Sequence, residues 1–471
     1  MEKMEKIKKE KGIRVPHTYV LLFIVIVLMA LLTYIVPAGE FDRAVDPSTG
    51  RTFVVANSYH QVDSNPTSFF EIFTAIPKGM DKAGYIIFFV LLIGGSFGIL
   101  QATGAIDAGI VNIVKRMRGK EKIVIPVLMI VFSLAGAILG SAEELLPFYP
   151  IVIALALALG FDTITGTAIV LLGAGAGFAG AFLNPFTVGI AQGIAGLPLF
   201  SGIGFRLISF TIILLTAIIF VYRYANKIQK NPELSLTYEE DQLKRQEFVI
   251  TDTTVFTTRH KMVMAVFAIG LVILTFGVVK LGFYITELAS MFLIMGIFAG
   301  LVGGLPLDKI AGEFVKGAQG LVYGALVIGI ATSIMVVMQE GRIMDTIIYS
   351  AANLVQGLPP ALGGTGMFVV QSFINFIIPS GSGQAAASMP IMAPMADLIG
   401  ISRQSAVLAF QFGDGFSNVI NPTSGYFMAA IAIGGITWEK WAKWMLPLFL
   451  IWSAIGAILV AVSVLIGYGP F

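Results

Sequence analysis

The chain has 471 residues, of which 56% are hydrophobic and only 12% charged, with a mean hydropathy of +0.87 and a formal net charge of +2. A soluble protein of this length needs far more charged surface, and so small a net charge excludes a basic nucleic-acid-binding face. The lack of cysteine excludes disulfides and thiolate metal sites. Because the apolar residues come in runs of about 20, long enough to cross ~30 Å of hydrocarbon, the composition predicts an all-α polytopic membrane protein.

The first apolar run, residues 19–36, follows a basic N-terminus and has the layout of a secretory signal peptide. It is longer than the roughly 7–15 apolar residues of such a peptide. The residues that follow it, Pro37-Ala38-Gly39-Glu40, make a poor cleavage site. We therefore predict a retained first transmembrane helix, preceded by a cytoplasmic tail at residues 1–17.

Further apolar segments follow along the chain, interrupted by two long polar stretches at 37–84 and 223–260. The segments that predict helices are 19–36, 85–103, 123–140, 145–159, 163–182, 186–197, 203–222, 261–280, 284–304, 319–338, 367–378, 385–400, 404–420, 423–436 and 445–468.

Basic residues predict the orientation of these segments. Lysine and arginine are concentrated in 223–260 and 113–122, which the positive-inside bias places in the cytoplasm. Stretch 339–366 carries only Arg342 as a basic residue and is predicted to lie outside. The pattern predicts a multi-pass protein of a bacterial inner membrane, with the N-terminus in the cytoplasm and the C-terminus outside.

The sequence also contains an internal repeat with a period of about 240 residues. Residues 76–80 resemble residues 314–318, and the segment around Asn184-Pro185 resembles that around Asn421-Pro422. The other matches pair Gln101 with Gln339, Asp107 with Asp345, Pro150 with Pro390, and Gly160 with Gly400. Counting helices predicts a first repeat at 18–222 and an inverted second repeat at 283–471, joined by the cytoplasmic loop 223–260 and a linking transmembrane helix at 261–282.

Each predicted repeat contains two short apolar arms around a polar tip. In the first, 123–139 and 145–159 flank Gly-Ser-Ala-Glu-Glu; in the second, 367–378 and 385–399 flank Pro-Ser-Gly-Ser-Gly-Gln. Some arms are too short to span the bilayer comfortably, which predicts re-entrant hairpins at about 123–159 and 367–400. The alternative is a pair of ordinary spanning helices with a loop, and the helix count does not separate the two.

An Asn-Pro pair interrupts the apolar segment after each tip, at Asn184-Pro185 and Asn421-Pro422. Proline removes a backbone donor, so each segment, 163–197 and 404–436, is predicted to be a broken helix. Backbone groups freed at membrane depth must be satisfied by protein, water or ligand. Paired breaks in inverted repeats therefore predict a binding site near the membrane midplane, whereas simple proline kinks are the alternative.

Three carboxylates, Glu143, Glu144 and Asp414, lie near the predicted site, and each costs ~2.5–3.5 kcal/mol to insert. Neither tip and neither Asn-Pro break contains a basic residue, so the site should favour an amino, guanidinium or metal cation, or a proton. The alternative is that either glutamate faces water at the cytoplasmic mouth of the first hairpin. Arg206 and Arg403 have the positions of helix-end anchors, and Asp162 and Asp397 those of interfacial caps.

Several other protein classes lack their required parts. The three histidines, His17, His60 and His260, have no metal-ligand partner at a useful spacing. No phosphate-cradling loop of the Walker type occurs, which argues against an ATP-driven pump. An intramembrane enzyme would need a nucleophile and base that the apolar segments do not supply. We therefore predict no enzyme and no cofactor, and keep a channel and an intramembrane enzyme as distant alternatives.

The tips, the Pro77-Lys78-Gly79 motif and the Gly-Asp-Gly-Phe-Ser-Asn run at 413–418 together resemble the YfcC / C4-dicarboxylate anaerobic carrier (DcuC) family of the ion transporter superfamily, which includes ArcD-type basic amino acid antiporters. The resemblance covers nearly the whole chain. It implies a homodimer in which the hairpins and broken helices form a mobile transport domain that moves as an elevator against a scaffold domain. The tips lack the cationic residues expected for a dianion.

The predicted substrate site combines both tips and both breaks, and its residues are Ser141, Glu143, Glu144, Asn184, Thr187, Ser380, Ser382, Gln384, Asp414, Asn418, Asn421, Thr423 and Ser424. Hydroxyl, amide and backbone groups should hold a substrate carboxylate or a sodium ion near Asn184 and Asn421, and the carboxylates an amino or guanidinium group or a coupling proton. The expected substrate is an amino acid, with arginine exchanged for ornithine as the specific case. Sodium- or proton-coupled C4-dicarboxylate transport is the alternative. Besides the substrate, the expected partners are the lipid bilayer and a second copy of the chain.

Overall fold

A computed structural model of the chain describes residues 18–45, 52–55, 57–116, 119–247, 256–277, 281, 283 and 285–469. The predicted cytoplasmic tail at 1–17 lies outside these residues. Within them, eight helical stretches are long and apolar enough to cross a membrane, and the apolar helices at Tyr19–Leu32 and Phe148–Ala158 are shorter. These stretches confirm the prediction of a helical, multi-pass membrane protein.

The described residues of the N-terminal half form ten helices. They are α1 (Thr18–Leu32), α2 (Phe69–Lys82), α3 (Gly84–Ala102), α4 (Ala105–Arg116), α5 (Val124–Leu134), α6 (Phe148–Ala158), α7 (Thr163–Gly180), α8 (Ile190–Ile194), α9 (Ile203–Lys230) and α10 (Tyr238–Glu247). Short 3₁₀ turns lie at Glu121–Ile123, Glu143–Leu145 and Pro232–Leu234, and π-helical turns at Ala135–Leu139 and Pro185–Gly189.

Ten more helices occupy the described C-terminal half. They are α11 (Thr258–Phe276), α12 (Ile285–Val302), α13 (Leu307–Gly320), α14 (Val322–Glu340), α15 (Met344–Asn353), α16 (Pro360–Ile377), α17 (Gly381–Leu398), α18 (Arg403–Ser417), α19 (Gly425–Ile433) and α20 (Trp438–Leu465).

Four short strands between α1 and α2 depart from the predicted all-α chain. β1 (Gly39–Glu40) pairs with β4 (His60–Gln61), and β2 (Arg43–Val45) pairs with β3 (Thr52–Val54), both antiparallel. The strands are too short to stand alone. Two contacts hold them in place. Arg43 Nη2 donates to Oδ1 and Oδ2 of Asp345 on α15, at 2.9 and 2.8 Å. β3 packs on α17.

Several helices occupy stretches where the apolar pattern predicted none. α2 and α10 lie inside the two polar stretches, and α4, α13 and α15 lie in or beside predicted loops. These helices carry charged residues and short apolar stripes instead of long apolar runs, so a search for membrane-length segments passes over them. The sequence did contain a start signal for α2, because Ser68 and Glu71 form a reciprocal capping box.

The helices pack as two groups. The first packing group comprises α1–α4 and α11–α15, in which α3 contacts α12 and α13, and α14 contacts α1 and α2. The second packing group comprises α5–α10 and α16–α20, in which α7 contacts α5, α6, α9 and α18, and α16 contacts α18 and α20. The largest contact between the groups joins α14 to α19, and smaller contacts join α4 to α6 and α15 to α16 and α17.

α5 and α7 cross so closely that one residue has to be glycine. A Cβ atom on Gly177 would overlap the backbone carbonyl oxygen of Ser133. We expect Gly177→Ala to lower the free energy of unfolding by about 1–3 kcal/mol, because the two backbones must separate. Thermal unfolding of the purified protein in detergent measures this change. Gly312→Ala is the matched control, because that exposed α13 glycine has nothing within 4 Å of its Cβ position. An equal melting temperature for the wild type and Gly177→Ala would contradict the close crossing.

The structure shows how charged residues with predicted roles are placed. Arg206 does lie in the first turn of α9, as predicted, but its side chain is fully buried beside Tyr468. Asp397 is not a helix cap but forms an ion pair with Arg403 at 2.6 Å. Asp162 does cap a helix, since its carboxylate accepts a hydrogen bond from the Thr165 N–H at 2.8 Å at the start of α7. Apolar context alone therefore does not separate a buried arginine from an interfacial one.

Candidate functional site

A cavity of about 690 Å³ lies between the two packing groups. Both predicted tips, both Asn-Pro breaks, the junction of α2 and α3, and α14 contribute to its lining. Nine of the thirteen predicted site residues line it: Ser141, Glu143, Glu144, Thr187, Ser380, Ser382, Asn418, Thr423 and Ser424. The other four, Asn184, Gln384, Asp414 and Asn421, are buried in the wall behind it.

The first tip brings two carboxylates into the cavity. The π-helical turn after α5 ends at Gly140 with φ 66°, a left-handed conformation that glycine adopts readily. The chain then forms the 3₁₀ turn that carries Glu143 and Glu144. The Ala142 N–H donates to Glu144 Oε2 at 3.0 Å, which fixes that side chain within the tip. No ion pair of either glutamate with a lysine, arginine or histidine is found among the described residues.

Tyrosines share the cavity lining with the two glutamates, although the sequence analysis assigned them no role. The hydroxyls of Tyr149 and Tyr426 are 2.8 Å apart. Tyr85 and Tyr426 both line the cavity. These side chains give the carboxylates a polar setting inside a largely apolar membrane protein.

The first break gives Asn184 a capping role. α7 ends at Gly180, and the helix resumes at Pro185. Asn184 Oδ1 accepts from the N–H groups of Phe186 at 2.9 Å and Thr187 at 3.2 Å. Asparagine followed by proline suits a helix start, since the amide oxygen satisfies free donors and proline has none to satisfy. The side chain of Asn184 is thus used within the protein and has no exposed surface.

The second tip is the start of a helix. Ser380 caps α17 by accepting from the Gly383 N–H at 3.3 Å, and residues 380–383 all line the cavity. Gln384 lies behind the tip, where its Nε2 donates to the backbone oxygen and Oε1 of Gln371, each at 2.8 Å. The N-terminus of α17 therefore faces the cavity with hydroxyls and backbone donors. Helix N-termini of this kind favour anionic groups.

The second break is held in a similar way. Asn421 Oδ1 accepts from the Thr423 N–H at 3.1 Å, and its Nδ2 donates to the Asn375 backbone oxygen at 3.0 Å. Thr423 Oγ1 donates to the Phe376 backbone oxygen at 2.8 Å. Ser424 precedes the first residue of α19 and lines the cavity. A second helix N-terminus therefore adjoins the cavity beside the break.

Asp414 lies one helical turn before Asn418 on α18 and has no exposed surface. Its Oδ1 accepts from Asn418 Nδ2 at 2.9 Å. Its Oδ2 has no hydrogen-bond partner among the described residues. Asp414 therefore adjoins the cavity through Asn418 and the second tip, without lining it.

Basic residues also line the cavity, and the sequence analysis missed them. Lys82 lies on α2 of the first packing group, and Arg43 lies on β2. Lys82 Nζ donates to Gln339 Oε1, and Arg43 is paired with Asp345. No local pattern brings Lys82 and Gln339 together, because 257 positions separate them. The cavity lining as a whole therefore carries basic as well as acidic side chains, although the tips and the breaks contain no basic residue.

Comparison with known proteins places the chain in a family. The profile of the DcuC family, described as C4-dicarboxylate anaerobic carrier, matches residues 15–465. The chain is 36% identical to the "Putative basic amino acid antiporter YfcC" of Escherichia coli (strain K12), over 96% of this chain and 97% of that protein. It is 30% identical to an uncharacterized protein of Haemophilus influenzae, over 98% of this chain and 99% of that protein.

Two solved transporter structures resemble the chain at 18% identity. The YdaH transporter of Alcanivorax borkumensis has a TM-score of 0.41, and the match covers 97% of this chain and 100% of that chain. MtrF of Neisseria gonorrhoeae has a TM-score of 0.45, and the match covers 97% of this chain and 96% of that chain. The named relatives are transporters, which confirms the prediction of a transporter and not an enzyme. The chain belongs to the C4-dicarboxylate anaerobic carrier (DcuC) family of membrane transporters.

Proposed function

We propose that the chain is a secondary active antiporter of basic amino acids, with arginine exchanged for ornithine as the specific case. The observation that carries the proposal is the arrangement of charge around the cavity. Glu143 and Glu144 line one part of it, and the capped N-terminus of α17 lines another. An amino acid with a cationic side chain offers groups that complement both.

The cationic side chain is assigned to the first tip. A carboxylate without a basic partner gains most from a cation when both are removed from water, because the attraction strengthens as the dielectric constant falls. Glu144 is held by the tip backbone, whereas Glu143 has no such hydrogen bond from the Ala142 N–H. We assign the direct ion pair to both carboxylates, with Glu144 as the more rigid of the two.

The substrate carboxylate is assigned to the second tip. Ser380 and Ser382 lie at the first turn of α17, and Ser424 lies at the start of α19. The first N–H groups of a helix have no partner within the helix and point toward such a ligand. Broken helices of transporters present anionic substrate groups to half-helix N-termini in this way. The name of the relative YfcC, a putative basic amino acid antiporter, agrees with this assignment.

Transport is proposed to occur by an elevator motion of the second packing group against the first. The proposed domains are the repeats 18–222 and 283–471, the cytoplasmic loop 223–260 and the linking helix 261–282. The hairpins at about 123–159 and 367–400 would be re-entrant, and the broken helices at about 163–197 and 404–436 would move with them. The protein is proposed to form a homodimer in a bacterial inner membrane, with its N-terminus in the cytoplasm and its C-terminus outside.

Exchange in proteoliposomes tests the function. Purified protein is reconstituted, the lumen is loaded with ornithine, and uptake of radiolabelled arginine is measured against protein-free liposomes. We expect internal ornithine to accelerate arginine uptake and internal succinate to leave it unchanged. A channel would show no acceleration by internal substrate. Acceleration of succinate uptake by internal succinate, with no effect of ornithine, would overturn the amino acid assignment.

The basic residues Lys82 and Arg43 in the cavity lining favour a C4-dicarboxylate as the second candidate, as does the family description. Lys82→Gln separates the two candidate functions by the direction in which it changes the KM for the substrate. For arginine we expect the KM to fall about 2–5-fold, because a like charge at the cavity wall has been removed. For a dicarboxylate carrier the KM for succinate should rise instead. Lys78→Gln is the control, because Lys78 pairs with Glu340 at 2.7 Å and does not line the cavity.

A further inference from the structure

Arg206 in the first turn of α9 is a buried cation without a counter-charge. Its side chain has no exposed surface, and Nε, Nη1 and Nη2 all lack a hydrogen-bond partner in the described part of the chain. No carboxylate among the described residues forms an ion pair with it. Arg403 of the same packing group, by contrast, pairs with Asp397 at 2.6 Å. A buried charge costs several kcal/mol unless it is paired, so Arg206 points to a negatively charged ligand.

The guanidinium group lies at the N-terminus of α9. The Tyr468 hydroxyl donates to the backbone oxygen of Gly202, the N-cap residue of that helix, at 2.6 Å. The same hydroxyl lies beside the Arg206 side chain, without reaching hydrogen-bond geometry. Gly202 has no side chain with which to cap the helix. Because the first N–H groups of a helix carry partial positive charge, two positive features coincide here.

The polar side chains of the loop that leads into α9 are bonded to one another. Gln192 Nε2 donates to the Ser201 backbone oxygen at 2.8 Å and to Gln404 Oε1 at 3.2 Å. Gln192 Oε1 accepts from the Phe200 N–H, and Gln404 Nε2 donates to Ser201 Oγ. Both glutamine amides are thus satisfied at each end. They fix the start of α9 but supply no partner for Arg206.

We propose that Arg206 and the N-terminus of α9 bind a small monovalent anion of the chloride class. One guanidinium group requires one negative charge, and its complete burial favours a small ion over a bulky lipid phosphate. The site is separate from the transport cavity, because neither Arg206 nor Gly202 lines it. The bound anion would neutralise Arg206 and hold Tyr468, which follows α20, against the start of α9. The competing explanation is that the Tyr468 hydroxyl alone stabilises the guanidinium group.

Thermal unfolding of the purified full chain in detergent, without substrate, tests the site. Sodium chloride is titrated against sodium gluconate at constant sodium concentration. We expect a saturable rise in melting temperature with chloride, and with bromide, that gluconate does not produce. Arg206→Met removes the charge, so this rise should be lost. Without chloride, Arg206→Met should melt no lower than the wild type, because an uncompensated buried charge has been replaced by an apolar side chain.

Arg223→Gln is the matched control, because it removes the same charge from an exposed position on the same helix. Its chloride response should equal that of the wild type. If Arg206→Met does not fold, Arg206→Lys decides the question. Lysine keeps the charge but lacks the planar fork of donors, so the half-maximal chloride concentration should rise about tenfold.

Equal melting temperatures of the wild type in chloride and gluconate would overturn the proposal, as would an unchanged chloride response in Arg206→Met or Arg206→Lys. Stabilisation by a short-chain phosphatidylglycerol, with no response to chloride, would also overturn it and assign Arg206 to a lipid phosphate. Because no substrate is present, the measurement does not depend on arginine exchange.

Discussion

Glu144→Gln should lower kcat/KM for arginine exchange by at least about 100-fold. The substrate's guanidinium group loses its charged partner when glutamine replaces Glu144, and breaking a buried ion pair costs ~3–5 kcal/mol. Glutamine can still accept the hydrogen bond that Glu144 Oε2 takes from the Ala142 N–H, so the tip should keep its shape. Initial rates of arginine uptake in ornithine-loaded proteoliposomes, over a range of arginine concentrations, measure the loss.

Two controls make this result specific. Glu439→Gln removes a carboxylate from the exposed first turn of α20, outside the cavity lining, and should leave exchange unchanged. Glu143→Gln tests whether the neighbouring carboxylate takes an equal part, and its effect should be of the same order. Wild-type exchange in both Glu144→Gln and Glu143→Gln would place the substrate outside the first tip and contradict the proposed binding mode.

The interruptions of the helices could be predicted because their causes are local. Asn184-Pro185 and Asn421-Pro422 contain a residue that cannot donate a backbone hydrogen bond, preceded by one that accepts several. The structure ends helices before both pairs. These interruptions do not depend on how distant parts of the chain pack. The length of the arms was less predictable, because α16 begins at Pro360, before the predicted arm 367–378, and both α16 and the helical stretch Glu121–Leu139 are long enough to cross a membrane.

The exact membership of the site could not be predicted in the same way. Whether a polar residue near a break lines the cavity depends on the neighbour it meets. Asn184 is buried because it caps the helical turn that begins at Pro185. Asn421 is buried because it bonds the Thr423 N–H and the Asn375 backbone oxygen, and Gln384 because it donates to Gln371. Lys82 reaches the cavity because the first packing group contributes to the lining. Its partner Gln339 is 257 positions away, so no local pattern in the sequence records this contact.

A disulfide across the contact between the packing groups should stop transport. The Cβ position of Gly324 on α14 lies 3.2 Å from Ala432 Cβ on α19, close to the separation of about 3.5–4.5 Å that a disulfide requires. The chain has no cysteine of its own, so Gly324→Cys with Ala432→Cys introduces the only reactive pair. If α19 slides along α14 during each cycle, oxidation should reduce arginine exchange to the level of protein-free liposomes, and reduction should restore it.

A second cysteine pair shows whether the loss comes from blocked motion or from oxidation itself. The Cβ position of Gly270 on α11 lies 3.7 Å from Met295 Cβ on α12, and both helices belong to the first packing group. Gly270→Cys with Met295→Cys should therefore form a disulfide that leaves exchange active. Undiminished exchange in the fully oxidised Gly324 and Ala432 pair would mean that α14 and α19 move together. The two packing groups would then behave as one rigid unit at the contact between α14 and α19, and the elevator proposal would fail.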